Sequence, residues 1–196
     1  TAETKELWLG LHGYGQLVEF FSHHFRELAN KHRAFIFPQG PHKFYLEGVY
    51  GRVGASWMTK EDRLVDIKNQ WAYLDQVLLW AMAAAPNARI HFVGFSQGVA
   101  TGMRYLGNGN YMPMSFLAWA GSWPPDLAPQ SVEALKSIRF KGWFGSDDAF
   151  IGAEKQTQII TRYREEFGLE MDWDRYEGGH NFDKVILAKA ITQFEQ

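Results

Sequence analysis

The stretch that decides the fold runs Arg89-Ile90-His91-Phe92-Val93-Gly94-Phe95-Ser96-Gln97-Gly98. Its first seven residues form a short apolar run of the kind found in strands covered on both faces. The residues after Gly98, to about Leu106, can form a helix. A Gly-x-Ser-x-Gly segment between a strand and a helix is the context of a nucleophile elbow, a sharp turn that strains the serine backbone and lifts its hydroxyl above the sheet edge. Nothing larger than glycine fits comfortably on either side of such a turn, and Gly94 and Gly98 stand there.

Other short apolar runs read as strands: Glu6 to Leu11, Ala34 to Phe37, Ser115 to Ala120, Ile138 to Phe144 and Met171 to Tyr176. Between them the spacing turns helical. Leu64, Ile67, Trp71, Leu74, Leu78 and Met82 put an apolar stripe on a helix expected from Glu61 to Ala84, with Thr59 as its cap and Pro86 as its stop. Leu17, Phe20, Phe21, Phe25 and Leu28 give a second stripe; Ile159, Ile160, Tyr163 and Phe167 a third; Leu187, Ala190, Ile191 and Phe194 a fourth. Strands alternating with helices predict an α/β fold, a mainly parallel sheet with helices on both faces. Ligands of such sheets bind beyond the carboxyl ends of the strands. No repeat, low-complexity tract or linker interrupts the 196 residues, so one domain over 1–196 is expected.

A serine hydroxyl is a weak nucleophile at neutral pH; it needs a base, and the base needs an acid to hold its tautomer. Of seven histidines, His180 alone lies late in the chain between an expected strand and the last helix, in Gly178-Gly179-His180-Asn181. That place obeys the order Ser, acid, His of this architecture. The acid is expected after the strand ending at Phe144, where Gly145-Ser146-Asp147-Asp148 offers two adjacent carboxylates, and spacing alone does not choose between them. The remaining requirement is a pair of backbone amides facing the charge that develops on a carbonyl oxygen. Gln97 supplies one, and Leu11-His12-Gly13-Tyr14-Gly15, after the first strand, offers the amide of Tyr14 as the other. His12 reads as a side chain bracing that turn.

Composition excludes several classes. Acidic residues number 22 against 20 basic ones and no basic block stands out, so nucleic acid is not an expected partner. The longest apolar stretch, Val77 to Ala85, falls far short of the roughly 20 residues of a membrane span. A cytoplasmic protein is expected, with a removed leader as the alternative because the sequence begins at Thr1. The lack of cysteine excludes disulfides, thiolate metal sites and cysteine nucleophiles. His23 and His24 do not make a metal pair, since consecutive helical residues point about 100° apart, and no metal or cofactor is expected. Aromatic residues reach 16%, more than a core of this size obviously requires. Phe44, Trp57, Trp123 and Phe150 all fall in segments expected beyond the carboxyl ends of the strands, and they read as walls of an apolar substrate cleft. Exposed aromatics would equally serve a homodimer interface.

With these residues assembled, the chain resembles the phospholipase/carboxylesterase branch of the α/β-hydrolase superfamily, which includes acyl-protein thioesterases and small bacterial carboxylesterases. The resemblance spans nearly the whole chain. Besides Leu11-His12-Gly13-Tyr14-Gly15 and Gly94-Phe95-Ser96-Gln97-Gly98 it rests on Phe37-Pro38-Gln39-Gly40-Pro41, on Ser56-Trp57 and on Gly179-His180. It implies a compact α/β-hydrolase fold without a large lid, no cofactor, Ser96 as nucleophile, His180 as base, and oxyanion amides at Tyr14 and Gln97. Its Gly-x-x-Asp pattern, counted from Gly145, puts the acid at Asp148, with Asp147 as runner-up. The sequence departs from the family pattern at Gln16, where an acid is common, at Val99, where glycine is usual, and after Asp148, where prolines are missing.

The expected activity is hydrolysis of carboxylic esters with small to medium acyl chains through an acyl-enzyme. Thioesters or lysophospholipids are the alternative substrates on the same site. A non-catalytic acyl-ligand binding protein that retains the fold is the alternative of another class.

Overall fold

The computed structural model describes residues 3–170 and 172–195. In chain order its elements are β1 (Glu6–Leu11), α1 (Val18–Phe21), β2 (Arg33–Ile36), β3 (His42–Tyr45), β4 (Val53–Ser56), α2 (Arg63–Ala84), β5 (Arg89–Phe95), α3 (Gln97–Tyr105), β6 (Ser115–Trp119), α4 (Pro129–Ser137), β7 (Arg139–Gly145), α5 (Ala153–Phe167), β8 (Asp172–Tyr176) and α6 (Lys184–Phe194). Six strands form one sheet in the order β2-β1-β5-β6-β7-β8, and every pairing in it is parallel. This is the parallel sheet that the alternation predicts, in the α/β-hydrolase architecture that the resemblance implies.

Successive strand residues point to opposite faces, so a strand buried on both sides feeds two cores. Leu9, Leu11, Phe92, Phe116 and Phe144 enter one, which the apolar faces of α2, α3, α4 and α5 cover. Trp8, Val93, Leu117, Trp119 and Trp143 enter the other, closed by α6 and by Phe21 and Phe25. Each large apolar side chain contributes about 1.5–3 kcal/mol when buried, which is why neither face stays open. From β1 the chain first builds β2 on one side and then crosses to β5 on the other. The carboxyl ends of β1 and β5 therefore frame the switch point where ligands of open sheets bind.

The stripe from Leu17 to Leu28 is not one helix. It forms α1 and then two tight turns at Ser22–His24 and Arg26–Leu28. The Ser22 hydroxyl donates to the Glu19 carbonyl at 3.1 Å, a local bond of the kind that competes with helix continuation. The tighter path still buries Phe21 and Phe25, against Phe37 and Phe182. The long helix begins at Arg63 rather than Glu61, because Asp62 takes a left-handed φ of 46° and Thr59 spends its hydroxyl on the Glu61 amide at 3.2 Å. Leu64, expected in its buried stripe, is 70% exposed, while Gln70 is buried and donates to the Trp57 carbonyl. The connection from Pro41 to Lys60 contains an antiparallel hairpin, β3 against β4, and α4 is a further helix that the periodicity does not single out. Met171, the expected start of the last strand, lies outside the described residues. Among the described residues no helix is long and apolar enough to cross a membrane.

Candidate active site

At the end of β5 the chain reverses. Ser96 takes φ 53° and ψ −114°, a backbone state that L residues hold only when their surroundings impose it. Its amide donates to the Trp119 carbonyl at 2.9 Å and its carbonyl accepts from the Val99 amide at 3.1 Å, fastening the turn to β6 and to α3. The helix lies so close to β1 that a Cβ on Gly98 would stand 2.0 Å from the Leu11 carbonyl oxygen. Val99 is fully buried, and Gly121 makes its room, since a Cβ there would lie 2.4 Å from Val99 Cγ2.

The loop after β8 carries His180 to this turn. Its Nε2 lies 3.0 Å from Ser96 Oγ and its Nδ1 lies 2.7 Å from Asp148 Oδ2. Asp148 follows β7 with its side chain fully buried, and its other oxygen accepts the amides of Phe150 at 2.8 Å and Ile151 at 2.9 Å. A carboxylate so held makes Nδ1 the protonated nitrogen of a neutral imidazole and turns the Nε2 lone pair to the serine hydroxyl. Asp147 is exposed and accepts from the Ser146 hydroxyl at 3.0 Å. The loop itself is fastened. The Trp119 indole donates to the Asn181 carbonyl at 2.9 Å, and the Tyr176 hydroxyl sits between the Gly179 and Asn181 carbonyls. Burial pushes the Tyr176 hydroxyl up, so it stays a donor.

The turn after β1 comes against the serine from the other side: a Cβ on Gly13 would lie 3.1 Å from Ser96 Cβ. The Gly13 amide donates to Gln16 Oε1 at 2.8 Å and the Gly15 amide to the Ala55 carbonyl at 2.8 Å. His12 is buried beneath. Its Nε2 accepts the Gly40 amide at 2.8 Å, so its Nδ1 carries the proton that meets the Gly13 carbonyl at 2.8 Å. Burial holds this imidazole below the ordinary histidine range, with the Gly13 carbonyl opposing. Among the described residues the amides of Tyr14 and Gln97 donate to no acceptor. The Gln97 side chain is clamped: Oε1 accepts the Trp57 amide at 3.1 Å, and Nε2 donates to Ser56 Oγ at 2.9 Å and to the Met58 carbonyl at 3.1 Å. A carbonyl group set over Ser96 would have a base on one side and two unspent donors nearby. No group of three or more His, Cys, Asp or Glu side chains able to hold a metal ion occurs among the described residues.

A family model described as Phospholipase/Carboxylesterase matches residues 2–195. The chain belongs to that family. Among solved structures it is similar to an uncharacterized protein from Bacillus cereus ATCC 10987 at 16% identity and TM-score 0.76, covering 98% of this chain and 61% of that one. The chain thus spans less than two thirds of the length of the Bacillus protein. It is also similar to Zea mays acyl-protein thioesterase 2, at 18% identity and TM-score 0.73 over 98% and 95% of the two chains. Arabidopsis thaliana SOBER1 matches at 20% identity and TM-score 0.66 over 98% and 100%. At such identities the likeness establishes the fold. Among curated proteins none matches the sequence.

The four aromatic residues expected to wall a cleft separate into two pairs. Phe150 is 72% exposed with its ring 4.8 Å from the His180 imidazole, and Phe44 packs at 4.9 Å on the exposed ring of Tyr14. Both lie beside residues expected at the site. Trp57 is fully buried, its indole donating to the His12 carbonyl at 2.9 Å, and Trp123 is buried against Tyr163 and Phe140. These two tryptophans are core residues that offer a substrate no wall, a correction that follows from α5 and the Gly13 turn covering them. Two supports escaped the sequence reading. Phe182 backs Phe95, whose ring in turn lies 5.0 Å from His180, and Gln16 closes the turn of Gly13. The acid usual at position 16 would bond the Gly13 amide equally well, so an amide there gives no warning of its role.

Proposed function

We propose that this family member is a serine hydrolase of carboxylic esters with small to medium acyl chains, thioesters being cleaved by the same chemistry. The observation that carries the reading is the unbroken line from Ser96 Oγ through His180 to the buried Asp148 carboxylate, 3.0 Å and 2.7 Å in its two steps. Ser96 Oγ attacks the carbonyl carbon while His180 Nε2 takes its proton. The negative charge passes to the carbonyl oxygen, which the amides of Tyr14 and Gln97 hold; losing one such donor costs roughly 3–4 kcal/mol of barrier. Collapse expels the alcohol or thiol, which leaves with the proton from His180. Water, activated by the same imidazole, then adds to the acyl-enzyme, and its collapse returns Ser96 and the free acid. Asp148 stays ionised throughout and keeps Nδ1 protonated.

Hydrolysis of 4-nitrophenyl esters from acetate to long-chain acyl groups, with the parent protein beside Ser96→Ala, tests the proposal. The expected result is turnover in the parent and a loss of about 10⁴-fold or more in the variant. A parent that binds these esters without cleaving them would favour the non-catalytic reading instead.

A further inference from the structure

One residue is bonded to both halves of the site. Trp119, the last residue of β6, lies opposite Phe95 in the sheet, and its carbonyl accepts the Ser96 amide at 2.9 Å. Its indole Nε1 donates to the Asn181 carbonyl at 2.9 Å and lies 3.1 Å from the Tyr176 hydroxyl. The main chain of Trp119 thus grips the turn of the nucleophile, and its side chain grips the loop of the base. The indole has little freedom of its own. It is fully buried, stacked on Trp143 at 5.5 Å, with Tyr176 at 5.2 Å and Phe182 at 5.1 Å around it.

The loop of the base depends on this grip. On its near side the Asp147 amide donates to the Gly178 carbonyl at 2.9 Å, and on its far side Asp183 caps α6 by accepting the Ile186 amide at 2.8 Å. Among the described residues, the backbone of Gly179, His180 and Asn181 receives one hydrogen bond from outside β8 and the loop, and that bond comes from Trp119. The Tyr176 hydroxyl, at the end of β8, reinforces it by facing the Gly179 and Asn181 carbonyls. These carbonyls belong to the residues on either side of His180, so holding both leaves its Cα little play. The 3.0 Å from His180 Nε2 to Ser96 Oγ is then set by one rigid residue rather than by the loop.

Resting on the functional reading above, we infer that Trp119 is a positioning residue that sets the distance between Ser96 and His180, with the Tyr176 hydroxyl as its partner. Being fully buried, it touches no substrate. It acts through the Asn181 carbonyl, holding the imidazole where it takes the serine proton without further movement of the loop. A loop released from the indole carries Nε2 in and out of reach of Oγ, so the loss falls on the chemical step and spares binding.

Two variants test this. Trp119→Phe keeps an aromatic ring in the stack and removes the N–H, and Tyr176→Phe removes the hydroxyl at nearly constant volume, which keeps the test open should Trp119→Phe fail to fold. In steady-state hydrolysis of 4-nitrophenyl acetate each should lower kcat by about tenfold, with KM within about twofold of the parent. The same substitutions are then made in His180→Ala protein, whose residual turnover comes from the oxyanion donors and binding. A residue that acts through the imidazole has nothing left to position there, so the tenfold loss should shrink to within about twofold. A residue that merely supports the fold would lower the residual turnover by the same tenfold, and that result would overturn the inference. A kcat within about twofold of the parent in both single variants would overturn it as well. All these proteins keep Ser96, so a failure of the serine chemistry shows in the parent, whereas a failure of the inference shows only in the variants.

Discussion

At the scale of single residues one of two neighbouring carboxylates faces the imidazole. Asp148 has its side chain buried, with one oxygen on His180 and the other on two amides. Asn at 148 keeps the amide contacts and presents a donor to Nδ1, which forces the wrong tautomer. Asp148→Asn should lower kcat by about 10⁴-fold with little change in KM. Asp147→Asn removes an exposed charge and leaves an amide oxygen to accept from the Ser146 hydroxyl, and it should stay within about twofold. Steady-state kinetics on the two variants decides the assignment, and the reverse order would contradict it. Ser96 and His180 were legible because a strained turn and a chain order restrict them. The two neighbouring aspartates were not separable by chemistry, since only the path of the backbone after β7 buries one and exposes the other. Trp57 and Trp123 differ from expectation for a related reason: a loop tryptophan looks alike in sequence whether its ring faces solvent or core, and both rings are buried.

At the scale of elements, the contact of α3 with β1 sets the geometry of the serine. Their separation leaves no volume at Gly98, where a methyl would meet the Leu11 carbonyl at 2.0 Å. Gly98→Ala should therefore push α3 outward, cost about 3 kcal/mol in urea denaturation and lower kcat. Normal stability with normal turnover would show that the helix does not seat Ser96 as described. Strands β1 and β5 were readable nearly to the residue because burial on both faces leaves a continuous apolar run. Segments whose shape comes from tertiary contact were harder. The β3–β4 hairpin has four-residue strands of weak pattern, His42-Lys43-Phe44-Tyr45 against Val53-Gly54-Ala55-Ser56. The stripe at Leu17 to Leu28 carries helical spacing, yet packing of Phe21 and Phe25 draws it into tighter turns.

At the scale of the whole molecule, buried imidazoles tie stability to pH. His91 lies at the amino end of the sheet, where Nε2 donates to Glu6 at 2.8 Å and Nδ1 accepts from the Ser115 hydroxyl at 2.7 Å. Glu6 in turn pairs with Arg89, which donates to the Glu195 carbonyl at 2.7 Å and so ties the end of α6 to the sheet. Burial holds both His91 and His12 below the ordinary histidine range, against the opposing pull of Glu6 on the first and of the Gly13 carbonyl on the second. The unfolded chain would take up protons at both near a pKa of about 6.5, while the folded chain does so at lower pH. The stability these groups contribute is present above about pH 6.5 and is lost as the pH falls through their folded values, at up to about 1.4 kcal/mol per pH unit for each. Urea midpoints should therefore drop between pH 7.5 and 5. A flat or rising midpoint on acidification would contradict neutral buried imidazoles. The alternation of strands and helices made the architecture legible at this scale, while the Glu6, Arg89, His91 and Glu195 cluster joins residues from opposite ends of the chain that no local pattern connects.

Whether Ser96 is a nucleophile activated by His180 is read out by reaction with an alkyl fluorophosphonate. The serine oxygen displaces fluoride at phosphorus, and intact-mass and peptide analysis locate the adduct. The expected result is one adduct per chain, on Ser96, with reaction slowed by orders of magnitude in His180→Ala and lost in Ser96→Ala. An unmodified parent, or an adduct formed equally well in Ser96→Ala, would contradict it.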